Sequence, residues 1–140
     1  MSETTLLESL LDGLEAALYG YGVLGARLDA PTRTAAQAGA DAHRAARDRV
    51  AALLRQRKDD PPAPPAAYDV QVAGQPDALA LAVRLETGLS VRYRDLVGGT
   101  DDPRLRRLAV DGLTGTAVRA TSWRRLLGQT PGTEPLPGSA

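Results

Sequence analysis

Asp59-Asp60-Pro61-Pro62-Ala63-Pro64-Pro65, continuing to Gln75, is the stretch on which the architecture turns. Proline lacks a backbone N–H and fixes φ, so a run this dense favours an extended, polyproline-like path and excludes helix. On either side the sequence is helical in pattern. The segment therefore reads as a 17-residue connection, 59–75, between two helical halves. Extended at ~3.1 Å per residue it reaches about 53 Å. A helix of about 24 residues is only about 36 Å long. The connection can thus travel the whole length of a bundle, which lets the helices before and after it run parallel.

Working outward, the half before this segment holds two apolar stripes. Leu7, Leu11, Leu14, Leu18, Tyr21, Gly25 and Leu28 step by three and four, the spacing of one helical face. Pro31, after Asp29-Ala30, is placed to open a second helix that reaches about Arg57, with its stripe at Ala36, Gly39, His43, Ala46, Val50 and Leu53. The half after it repeats the pattern. A third helix is expected from near Pro76 to near Val97, with Leu79, Ala82, Glu86, Leu89, Tyr93 and Leu96 on its stripe and Gly98-Gly99 to close it. Asp101 or Asp102 caps a fourth, with Pro103 in its first turn and Gly128 beyond its end. The short connections make each pair an antiparallel hairpin. The reading is an all-α four-helix bundle over 1–128 and a disordered tail, 129–140, rich in Pro, Gly, Thr and Ser.

Composition narrows the function classes. The absence of cysteine removes disulfides, thiolate metal sites and cysteine catalysis, and is compatible with the cytoplasm. Apolar runs are too short for a membrane span, and the N-terminus does not read as a signal peptide. Seventeen basic and 17 acidic side chains cancel, which argues against a nucleic-acid partner. Glycines at 20, 22, 25, 112 and 115 each weaken their helix by about 1 kcal/mol relative to alanine, which close approach of a neighbour would compensate.

The anomalies are His43 and Glu86, ionisable groups in stripe positions that neighbours fill with apolar side chains. Glu15 borders the first stripe and Asp111 the fourth. Counted from their hairpin turns, all four sit near mid-height. Buried ionisable groups must be paired, neutral or bound to metal. Two readings follow. In one, His43 is a core histidine, neutral or paired with Glu15 or Glu86, Glu86 pairs with His43 or with an arginine such as Arg119, and Glu15 and Asp111 face solvent. In the other, Glu15, His43, Glu86 and Asp111 form a metal site. No catalytic or organic-cofactor residues stand out.

Tyr19-Gly-Tyr-Gly-Val-Leu-Gly-Ala-Arg-Leu28, Ala42-His-Arg-Ala-Ala-Arg-Asp48 and Leu81-Ala-Val-Arg-Leu-Glu86 resemble an actinobacterial ferritin-like domain family of unknown function, over about residues 5–127. The resemblance implies a ferritin-like bundle. The superfamily's di-iron pattern asks for Glu, Glu-x-x-His, Glu and Glu-x-x-His on successive helices. Glu15 and Glu86 match the lone acids. Helix two reads Ala40-Asp-Ala-His43, and helix four Asp111-Gly-Leu-Thr114, so two of six ligands are missing and one is shortened. The expectation is a non-redox structural or interaction module, self-associating as a dimer. The alternative is a metal-binding protein or metal-dependent oxidoreductase holding a single Fe, Mn or Zn ion.

Overall fold

The computed structural model describes residues 1–129 and 135–139. Four helices account for the regular structure of the described residues: α1 Glu3–Gly25, α2 Ala30–Gln56, α3 Gln75–Gly99 and α4 Pro103–Leu126. Their starts are chemically marked. Ser2 accepts from the Thr5 N–H, Asp29 from Thr32 and Asp102 from Arg104. These side chains satisfy N–H groups that have no partner within their own helix. Pro31, Pro76 and Pro103 occupy first turns, where a missing N–H does no harm. The Gly98-Gly99 pair ends α3 from within, Thr100 being the capping residue.

The all-α four-helix bundle is as the sequence predicts, and contacts fix its directions. Glu15 faces Arg47 and Gly39 faces Tyr21, so α1 and α2 are antiparallel. Gly20 meets Leu85, and Gly99 meets Leu6, so α1 and α3 are antiparallel too. Tyr93 meets Gly112 and Glu86 meets Arg119, with the Ser90 and Thr116 hydroxyls 2.7 Å apart between them, so α4 is antiparallel to α3. Helices α2 and α3 therefore run the same way, and the proline segment returns the chain along the bundle. It passes Tyr19, whose ring lies 5.3 Å from that of Tyr68, and it lays Val70 and Val72 on the core. Near its start Asp59 meets Glu8, and the hydrogen bond between the two carboxyl groups raises the Glu8 pKa.

Polar clasps hold the two ends. Glu3 takes Arg57 on one carboxylate oxygen and the Thr100 hydroxyl on the other, joining the ends of α2 and α3 to the start of α1. At the opposite end Gln75 Oε1 accepts from the Asp29 N–H at 2.8 Å, and Gln75 Nε2 donates to the Asp29 carboxylate.

The core is divided. One apolar compartment gathers Leu7, Leu10, Leu14, Val50, Leu54, Leu89, Leu96 and Ala109; the other gathers Tyr21, Leu24, Leu28, Ala36, Leu79, Ala82 and Trp123. His43, Glu86, Ser90 and Thr116 are buried between them. Of the segment expected to be disordered, residues 130–134 and 140 lie outside the described residues, while 135–139 lie against α3, where Gly138 is buried. Among the described residues no helix is long and apolar enough to cross a membrane.

Two glycines in these helices respond oppositely to a methyl group. A Cβ on Gly112 would strike the Tyr93 ring, so Gly112→Ala is expected to cost about 1–3 kcal/mol despite alanine's better helix propensity. Gly22 is exposed with open space around its Cβ position, so Gly22→Ala is expected to gain about 0.5–1 kcal/mol. Urea denaturation of the two variants checks the opposite signs.

Candidate functional site

Among the described residues Glu86 is the most deeply buried ionisable group, with 0% of its surface exposed, and His43 follows at 1%. The reason lies in sequence spacing. Glu86 comes four residues after Ala82 and three before Leu89, so α3's inward stripe must carry it into the core. His43 is placed likewise between Gly39 and Val50 on α2.

Three donors, one from each other helix, meet on Glu86 Oε1. The Tyr21 hydroxyl of α1 donates at 2.6 Å, and Arg119 Nε of α4 at 2.9 Å. His43 Nε2 of α2 lies at 2.8 Å. Tyrosine O–H and arginine N–H leave this oxygen only the acceptor role, so His43 Nε2 carries the proton and donates as well. Trp123 Nε1 then donates to the Tyr21 oxygen at 3.1 Å, bringing in a further residue of α4 after Arg119. Tyr21 also lies edge-on to the His43 ring, with centroids 5.4 Å apart. Glu86 Oε2 is buried and has no hydrogen-bond partner. Below this centre, Ser90 Oγ donates to the Glu86 carbonyl at 3.0 Å, one turn along α3, and the neighbouring Thr116 hydroxyl donates to the Leu113 carbonyl.

Burial, followed by the nearby Glu86 charge, pushes the Tyr21 hydroxyl pKa far above its ordinary value. Burial likewise pushes Tyr93 up to about 12. Both hydroxyls thus stay protonated in the fold well past the pH at which free tyrosine ionises.

The four residues expected at one level are only partly brought together. His43 and Glu86 meet. Glu15, on α1, lies 4.0 Å from Arg47 instead. Asp111 is exposed, in a cleft with Ala46, Arg49 and Tyr93. Thr114 is exposed and bonded to its own helix at Val110, and Ala40 packs on the apolar core. The divergence has a simple cause. At ~100° per residue the buried positions 105, 109, 116, 120 and 123 cluster on one side of α4, and position 111 lies more than about 100° round the helix from all of them. The fourth helix instead sends Arg119 inward. Among the described residues no three His, Cys, Asp or Glu side chains are close enough to hold one metal ion. The residues present do not fit a two-metal centre, which needs carboxylates shared between ions about 3.5–4 Å apart.

Tyr21 and Trp123 are the participants the sequence does not advertise, since both read as packing residues. Spacing holds the signal: Trp123 lies one turn beyond Arg119, and Tyr21 stands on the same stripe as Leu14. Only contact across helices shows that their polar atoms meet.

A family model described as a domain of unknown function, DUF4439, matches residues 7–140. The chain belongs to this family. It is also similar to a conserved hypothetical protein from Mycobacterium tuberculosis of known crystal structure. The two are 32% identical, each chain is covered over 96% of its length, and the TM-score is 0.86. No functionally curated protein matches the chain.

Removing parts of the network tests its hierarchy. Glu86→Ala strands the Arg119 charge and is expected to cost about 3–5 kcal/mol. Tyr21→Phe leaves Trp123 Nε1 without its acceptor and is expected to cost about 1–3 kcal/mol. The double variant should be less destabilised than the sum, because the two share one hydrogen bond. Denaturant midpoints give these values. The tyrosines add a pH signature. A folded-state pKa above the unfolded value of about 10 gives stability that is complete below pH ~10 and lost as pH rises through the folded value. For Tyr93 that window is about pH 10 to 12. Tyr93→Phe should flatten the alkaline decline in thermal midpoint.

Proposed function

We propose that the chain is a ferritin-like bundle that works as a structural or interaction module of the cytoplasm, without redox chemistry, and associates as a dimer. The parallel course of α2 and α3 supports the ferritin-like reading, since a single long crossover is the mark of that topology. The carrying observation for the absence of redox chemistry is the triple donation onto Glu86 Oε1. The carboxylate is committed to three helices, and one donor is a permanent cation. Arginine supplies there the positive charge that a metal ion supplies to a carboxylate elsewhere. Val118 and Leu126 of α4, 61% and 57% exposed, are apolar side chains consistent with a dimer contact. Zero net charge gives no support to a nucleic-acid partner.

Elemental analysis of the purified chain tests this reading. Iron, manganese and zinc are expected well below one ion per chain, and a stoichiometric amount of any would overturn it. Light scattering behind size exclusion should return twice the mass of 14.7 kDa.

One observation favours a second reading, in which the chain binds a metal or acts as a metal-dependent oxidoreductase. Glu86 Oε2 is a buried acceptor with nothing to accept from, beside an imidazole. On that reading a single ion sits against Oε2, and His43 gives up the Nε2 proton and its bond to Oε1 to ligate it. Fe(II) titration of the wild type and His43→Ala should then differ by one binding event per chain, and identical curves retire it.

A further inference from the structure

The end of the chain is seated with more specificity than a tail requires. Gly128, with φ of +79°, turns the chain at the end of α4, and Leu136–Ser139 lies back along α3. Gly138 has φ of +83°, a conformation L side chains rarely adopt. A Cβ there would come 2.8 Å from the Ser90 carbonyl oxygen and 3.0 Å from Arg94 Cβ. Glycine is thus demanded twice, once by backbone conformation and once by contact. On its far side Arg94 donates to the Ser139 hydroxyl at 2.9 Å, and the Ser139 N–H closes a turn onto Leu136 at 3.1 Å.

Pro137 forms part of the wall of a cavity of about 330 Å³ between α3 and α4. That volume lies at the lower end of the range for small-molecule sites. Ala117, Ala120 and Val118 give it an apolar side, Thr121 and Ser122 give it hydroxyls, and the exposed Arg125 stands at its edge. An apolar wall with a cation at the rim suits an amphipathic anion.

We propose that Leu136–Ser139 is a strap keyed into the α3–α4 groove by Gly138, and that its release widens the cavity whose wall Pro137 shares and admits a small amphipathic anion. The anion's apolar body lies against Ala117 and Val118, and its charged end lies toward Arg125. The strap acts in cis, because only the six residues 130 to 135 separate Gln129 from Leu136, and the segment lies against the helix that partners α4.

The test uses the full chain. It has no cysteine, so a nitroxide on Leu136→Cys, an exposed position, reports on the strap alone. In the otherwise unchanged chain the label's motion is expected to be restricted. Adding Gly138→Val should free it and raise affinity for the probe 1-anilinonaphthalene-8-sulfonate at least fivefold. Arg94→Ala, which removes the Ser139 contact without a clash, should shift both readouts the same way to a smaller extent. Filling the cavity with Ala117→Leu in the Gly138→Val background should return probe affinity to the starting level. A label already mobile before any substitution overturns the proposal. So does a label that Gly138→Val leaves restricted, or probe affinity unchanged once the label is free.

Discussion

One carboxylate oxygen organises the interior. Glu86 Oε1 receives Tyr21, His43 and Arg119, one donor from each helix other than its own. A buried carboxylate is tolerable only where donors replace the water it has lost. Here they come from all sides, so the position of each helix is a condition of burying the group at all. Slide α4 by one turn and Arg119 no longer reaches; slide α2 and His43 is displaced. An aliphatic core of leucine, valine and alanine is permissive about register, since one leucine fits a neighbour's groove much like another. The Glu86 layer supplies a register that such packing does not. Buried ionic groups often add little net stability over an apolar replacement, so the contribution expected of this layer is register.

The same layer explains why the apolar core is split. Leucines dominate the half nearer the start of α1, while in the other Tyr21, Trp123 and several alanines stand among the leucines. The aromatic pair sits on the side where their polar atoms reach the Glu86 centre. The tyrosine and tryptophan thus serve both environments, apolar on the ring and polar at the tip. The helices α1 and α3 meet closely around this level because Gly13 and Gly20 leave room for Arg92 and Leu85. Arg92 uses that room to reach the Ser9 carbonyl at 2.6 Å.

How much of this was legible in the sequence follows from the range of each interaction. Helix count, caps and the long crossover are local properties, written in proline positions and in three-and-four spacing, and they are readable without a fold. That Glu86 would pair with His43 or with an arginine such as Arg119 was legible, because stripe membership predicts burial and burial demands a partner; that both would meet on one oxygen was not. Asp111 shows where that reasoning stops. Distance from the turn places it at the right height, but height is only one coordinate on a helix, and its angular position carries it to solvent. Glu15 departs for the related reason that it borders its stripe and finds Arg47 at the margin. Tyr21 and Trp123 were invisible as network members because a residue on an apolar stripe announces its ring and not the direction of its hydroxyl or N–H. The docking of Gly138 was hidden in a composition that reads as unstructured.

The proposed ferritin-like reading gives Arg119 its meaning. In a carboxylate bundle the like charges of the acids have to be offset. A bound cation does this reversibly, with affinity that depends on conditions. A guanidinium delivered by α4 does it covalently and always. Once it is present, additional acids nearby gain nothing from burial, and the alternatives to burial are those seen here: Asp111 faces solvent, Thr114 bonds back to its own helix, and Ala40 joins the apolar wall. On that proposed reading the departures from the six-ligand pattern belong together: with the Arg119 charge on Glu86, the layer needs no further acid or imidazole and serves to fix helix positions.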